Sequence, residues 1–180
     1  DILVNNAAKP GGQSKPPSLA EITDEAFFDD MNVKVMGYLR CARECAPHMK
    51  KAGGGRIINI SGLAARTTGN IIGSVRNISV AALSKNLADE LGPHGIAVNC
   101  VHPKLTRTEK TADVVARMVA VQGITAEEAE KKMAASMLIG RLVTMEEVAD
   151  VVAFLASPRS VSINGDTITV GGGNKGTIYY

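Results

Sequence analysis

Short β-branched runs alternate along this chain with amphipathic stretches long enough to be helices, and that alternation limits the possible folds more than any single motif. Ile2-Leu3-Val4 is a strand that ends in the polar turn Asn5-Asn6. Arg56-Ile57-Ile58-Asn59-Ile60-Ser61 and Ile96-Ala97-Val98-Asn99-Cys100-Val101 read as buried strands, and Thr167 to Val170 as a last one. Between them, Val35, Leu39, Ala42, Ala46 and Met49 recur at helical spacing from about Asp29 to Lys51, until Gly53-Gly54-Gly55 stops the pattern. A second helix carries an apolar face of Ile78, Ala82, Leu83, Leu87 and Leu91 and ends at Gly92-Pro93. A third starts at Thr144-Met145-Glu146-Glu147, a capping box, and runs to about Ala156. Parallel strands need crossovers of about a dozen residues, and such crossovers are right-handed. The expected fold class is therefore α/β, a doubly wound parallel sheet of Rossmann-like type, with residues 1–180 forming one unit.

The remaining segments are less regular. Lys9 to Pro17 is a loop rich in Pro, Gly and Lys. Thr23, with Ala26 three residues on, is a helix start, and Asp24-Glu25 suit its positive end. Thr108 to Met137 is helical and charged, so 104–137 reads as a mobile flap. Asn164-Gly165-Asp166 is a turn. No internal repeat is visible.

Composition excludes several function classes. Aromatic residues make up 3% of the chain and Trp is absent, so there is no platform for stacking nucleic-acid bases. The net charge of +2 is spread among interspersed acids and bases, with no basic stripe. No apolar run approaches the roughly 20 residues that span a bilayer. The opening Asp1-Ile2-Leu3-Val4 is neither an initiator methionine nor a charged leader. Three cysteines are an odd, sparse set that points to a reducing, cytoplasmic setting. Cys41 and Cys45 share a helix face and read as small buried or interfacial hydrophobes. His48, His94 and His102 stand apart, with no metal spacing.

At this point the sequence resembles the short-chain dehydrogenase/reductase family over essentially its whole length. Asn5-Asn6-Ala7-Ala8 is similar to the family's Asn-Asn-Ala-Gly turn, and Gly55 to Ser61 to its fifth strand. Ala81-Ala82-Leu83 with Leu87 to Leu91 resembles the helix that follows the catalytic Tyr and Lys. Ile96 to Pro103 resembles the sixth strand, Gly140-Arg141 with Glu146 to Ser157 the late helix, and Asn164-Gly165 with Val170-Gly171-Gly172 the closing strand. Six signals in family order carry the resemblance.

The resemblance implies an NAD- or NADP-dependent oxidoreductase of a carbonyl or secondary alcohol, with the nicotinamide supplying hydride. It implies a Tyr that exchanges the alcohol proton and a Lys one turn on that lowers its pKa. Registered on Ala81-Ala82-Leu83, those positions fall on Arg76 and Val80. Arg stays protonated near neutrality, and Val carries no charge. The Ser that bonds the substrate oxygen corresponds to Ser61, or to Gly62 where the family uses the second of two serines. Ser61 reads equally as a strand-end hydroxyl that satisfies local backbone. Asn32 is the candidate for the family's relay Asn, although counting back from Gly37 or Met49 reaches Lys34.

On the cofactor side the resemblance implies Asn5 and Ala7 beside the adenosine, and Pro103 and Thr108 toward the nicotinamide; Lys104 stands where the family has Gly. The glycine-rich pyrophosphate turn and the strands around it fall before Asp1 in the family's order, so this chain is expected to lack them. The family pairs subunits through two long helices, here 29–51 and 77–91, which predicts a homo-oligomer. Three readings follow: an oxidoreductase acting on a small molecule, a pseudoenzyme that binds a ligand without turnover, and a structural subunit. Cofactor binding with or without turnover separates the first two.

Overall fold

The computed structural model describes residues 1–9 and 15–178. Part of the expected Lys9 to Pro17 loop, together with Tyr179 and Tyr180, lies outside the described residues. Four strands form one sheet: β1 (Ile2–Asn5), β2 (Gly55–Ile60), β3 (Ile96–Pro103) and β6 (Thr167–Val170), in the order β1-β2-β3-β6. Every neighbouring pair is parallel, with Ile2 against Arg56, Gly55 against Ile96 and Cys100 against Thr167. The four strands lie where the apolar runs predicted them. β3 is buried at every residue but Pro103, as a strand covered on both faces requires.

Alternation along β2 assigns the two faces. Ile57 packs with Ala42, Ala46 and Met49 of α2 (Gly37–Ala52) and with Ala88 and Leu91 of α3 (Ile71–Leu91). Its neighbour Ile58 points the other way, to Val101 and to Leu155 of α6 (Met145–Ala156). The sheet is thus a middle layer between α2/α3 and α6. The capping box that predicted α6 is formed, with Thr144 Oγ1 accepting from the Glu147 amide at 3.3 Å.

The predicted start at Thr23 opens α1 (Asp24–Met31), where Thr23 Oγ1 accepts from the Ala26 amide at 3.1 Å. α1 does not stop before α2. The two are joined by a wide π-helical turn over Asn32–Met36, so the backbone is helical from Asp24 to Ala52. Gly53, at φ +82°, then closes the helix in a left-handed cap.

The face read for the second helix is buried only in part: Leu91 is in the core and Leu83 and Leu87 pack half-buried against it. α3 turns Gly73, Asn77, Val80, Ser84, Ala88 and Leu91 inward, while Ile78 is 54% exposed and Ala82 is exposed. Two polar residues go inside because partners await them: Asn77 Oδ1 accepts from Lys34, and Ser84 Oγ accepts from Asn59. Binary patterning cannot anticipate such partners, which come from a distant helical turn and a distant strand.

The 104–137 segment is two helices, α4 (Thr111–Gln122) and α5 (Ala126–Met133), broken at Gly123 with φ +65°. A two-stranded pairing of β4 (Thr106–Arg107) with β5 (Val143–Thr144) ties its base, and Ala134, Met137 and Leu142 give it a small core. Cys41 is exposed and Cys45 half-buried. Among the described residues, no helix is long and apolar enough to cross a membrane.

Candidate functional site

In an open parallel sheet, ligands bind beyond the carboxyl ends of the strands. Here β1, β2 and β3 all release their chains at that edge, and two clefts open there. The first, of roughly 540 Å³, is lined by Asn6, Lys34, Ser61, Arg76, Lys104 and Thr108, among others. The second, of roughly 590 Å³, is apolar and runs between Val4 and the Met145, Val148 and Val152 face of α6. Asn6, Ile60, Pro103 and Thr108 border both, and could hold an elongated cofactor across them.

A ladder of amides stiffens the site from below. Asn5 Nδ2 donates to Asn59 Oδ1 at 2.8 Å, and Asn59 Nδ2 donates to Ser84 Oγ at 2.9 Å. Asn5 is therefore buried structure beneath the turn, and its neighbours Asn6 and Ala8 line the cleft; Ala7 is exposed and does not. Pro103 and Thr108 line both clefts.

Ser61 lines the cleft, but its hydroxyl donates to the Asn77 carbonyl of α3 at 2.8 Å, a backbone contact from a distant helix and not a local one. The following Gly62 is extended, and a Cβ there would lie 3.1 Å from Asn77 Nδ2. Asn32 points away from the site: it is exposed, and its Oδ1 accepts from Arg40 at 2.8 Å. The inward position belongs to Lys34, two residues on in the π-helical turn, which is 4% exposed. Lys34 Nζ donates to the Ser61 carbonyl at 2.8 Å and to Asn77 Oδ1 at 3.0 Å. The sequence held this signal, since the count back from Gly37 reaches Lys34.

On α3, Arg76 lines the cleft and meets both oxygens of Asp30 at 2.7 and 2.9 Å. Val80 is fully buried against Tyr38 and Cys100. Tyr38, on α2, is no candidate acid. Its hydroxyl donates to the Ile60 carbonyl at 2.8 Å, and burial pushes its pKa above the ordinary phenol value.

The electrostatics are one-sided. Burial, with the Arg76 guanidinium second, lowers the Lys34 pKa to about 8. Burial raises the Cys100 thiol to about 11 and lowers His102 to about 4, with Arg66 and Lys34 adding to the latter. Both are neutral near pH 7. His102 Nδ1 accepts from the Gly62 amide at 3.3 Å. Among the described residues, no three His, Cys, Asp or Glu side chains are grouped to hold a metal.

Against known proteins, the family model described as enoyl-(acyl carrier protein) reductase matches residues 1–175. The short-chain reductase protein NovJ of Streptomyces niveus is 34% identical over 96% of this chain and 63% of its own length. The NADPH-dependent reductase BacG of Bacillus subtilis is 31% identical over 99% of this chain and 68% of its own. Among solved structures, L-sorbose reductase from Gluconobacter frateurii, complexed with NADPH and L-sorbose, superposes with a TM-score of 0.89. It is 30% identical and is covered to 67%, with 99% of this chain matched. The chain thus spans about two-thirds of the length of these relatives.

Proposed function

Because this chain belongs to the short-chain dehydrogenase/reductase family, we propose that it binds NAD(P)H and reduces a small carbonyl compound, in the cytoplasm and as a homo-oligomer. The observation that carries the reading is the pair of confluent clefts at the carboxyl edge of the sheet, one polar and one apolar, sharing Asn6, Pro103 and Thr108. That donor set fits the nicotinamide end of the cofactor. A dinucleotide presents a polar amide beside a flat apolar ring, and the junction offers both kinds of surface. Among the described residues there is no pyrophosphate cradle. Gly53 and Gly54 follow a helix, and Gly171 to Gly173 follow β6, with Gly172 against Ile139 and Gly173 against Leu138, so neither run precedes a helix N-terminus.

When bound, the nicotinamide supplies hydride to the carbonyl carbon. The chain's own residues orient the substrate and balance the charge that develops on its oxygen. Lys34 and Arg76 are the cations that line the site nearest Ser61 and Asn77. Among the described residues, no tyrosine lines the cleft.

A second reading, ligand binding without turnover, is favoured by one specific observation. The α3 positions that resemble the family's Tyr and Lys carry an ion-paired Arg76 and a fully buried Val80. NADH and NADPH titrations, followed by nicotinamide fluorescence and then by a carbonyl-substrate screen, separate the two. Saturable binding with oxidation of the cofactor supports the reductase. Saturable binding with none over hours supports the second reading. An absence of binding up to millimolar cofactor sinks the reductase reading for this 180-residue chain.

A further inference from the structure

We propose that the polar cleft takes its substrate by a negatively charged group, a carboxylate or phosphate carried on the carbonyl compound and held by Lys34 and Arg76. The proposal rests on the cleft being the reductase site and adds the class of substrate.

The charge count motivates it. Lys9, Lys34, Arg76 and Lys104 line the cleft, and no Asp or Glu does. The outer two are occupied elsewhere: Lys9 pairs with Asp29, while Lys104 donates to Ser136 at 2.5 Å and to Asn174 at 2.5 Å. The inner two are different. Asp30 is the carboxylate paired with Arg76, and it neutralises one cation of two. The other partners of Lys34 are neutral oxygens, those of Ser61 and Asn77. Cys100 and His102, which feel the charge of Lys34, are themselves uncharged near neutral pH. A buried cluster of two cations and one anion holds a net positive charge away from water, an arrangement that costs stability unless something compensates it.

Two donors remain open for that compensation. Arg76 Nε is buried with no hydrogen-bond partner. The Lys34 ammonium has three donors and uses two. A guanidinium and an ammonium arriving from facing helices form a fork suited to the oxygens of a carboxylate or phosphate.

Calorimetric titration tests this with pyruvate and inorganic phosphate as anionic probes and 2,3-butanedione as the neutral one. We expect both anions to bind and butanedione to bind at least tenfold more weakly. Lys34→Met and Arg76→Met should each weaken pyruvate at least tenfold, Asp30→Asn should tighten it, and Lys51→Met, on the distant end of α2, should leave it unchanged. Equal binding of pyruvate and butanedione overturns the proposal, and so does a folded Lys34→Met protein that binds pyruvate normally. Should a variant fail to fold, the anion-to-neutral ratio of the unaltered chain still decides. Competition between NADPH and pyruvate would give the fork to a cofactor phosphate, and it also overturns the proposal. Pyruvate binding with no NADPH binding leaves the anion site standing and removes the reductase reading instead.

Discussion

Two buried polar residues show how little of this site is apolar packing. Asn59 holds Asn5 on one side and Ser84 on the other, across two strands and a helix. Asn59→Leu keeps the volume but leaves the Asn5 amide without its acceptor inside the fold. We expect a loss of roughly 2–4 kcal/mol in urea unfolding, the cost of orphaning buried polar groups. Lys34 works in the opposite direction. Its folded pKa of about 8 lies below the ordinary 10.5, so between those values the unfolded chain binds more protons and stability rises with pH. Below pH 8 both states are charged, and the burial penalty is fully present. Unfolding free energy should therefore climb between pH 8 and 10, and Lys34→Met should flatten that climb. Both residues were partly legible in the sequence. Lys34 was reached by counting and Asn59 sat in a plain strand, but the partners that define their roles come from 25 to 54 residues away.

Elements divide into those whose pattern was local and those whose pattern was not. The strands and the starts of α1 and α6 were readable because a β-branched run, a cap and a capping box act within a few residues. The inward face of α3 was not, because Asn77 and Ser84 occupy it and push apolar side chains outward. The outward stripe of Ile71, Val75 and Ile78 is the result, each at least 38% exposed and spaced at helical intervals. A contiguous apolar stripe on a long helix asks for a partner surface. Light scattering behind size-exclusion chromatography should show an oligomer for the unaltered chain and a monomer for Ile78→Asp, with the melting temperature within about 3 °C, since an exposed position carries little stability. A monomeric unaltered chain would contradict the pairing of α2 and α3 helices between subunits.

At the scale of the whole molecule, the described sheet has two outer strands, β1 and β6. β1 pairs with β2 alone among the described strands, and its Ile2 and Val4, which share one face of the sheet, are 55% and 44% exposed. An open, apolar strand edge is a template for further strands. We expect concentration-dependent association of the 180-residue chain through this edge. Val4→Lys should reduce it, read as a drop in static light scattering at matched concentration, without a change in the far-ultraviolet circular dichroism. The doubly wound order was legible because crossovers leave few topologies; the open edge is a property of the assembled sheet, which no local pattern encodes.

The wide turn at Asn32–Met36 has a consequence for how this chemistry could change over generations. A π-helical turn is an α-helix that has absorbed one surplus residue, and each residue of an α-helix turns the chain by about 100°. The turn acts as a detent between two rotational settings of one continuous rod. Loss of a single codon within it would let the helix close to regular pitch and swing the 30–34 side chains against those of α2. Asp30 and Lys34 would leave the face of Arg76 and Asn77 together, while the sheet and its core kept their places. The charge lining the cleft is thus separable from the scaffold, and a lineage could trade one ligand chemistry for another in one mutational step.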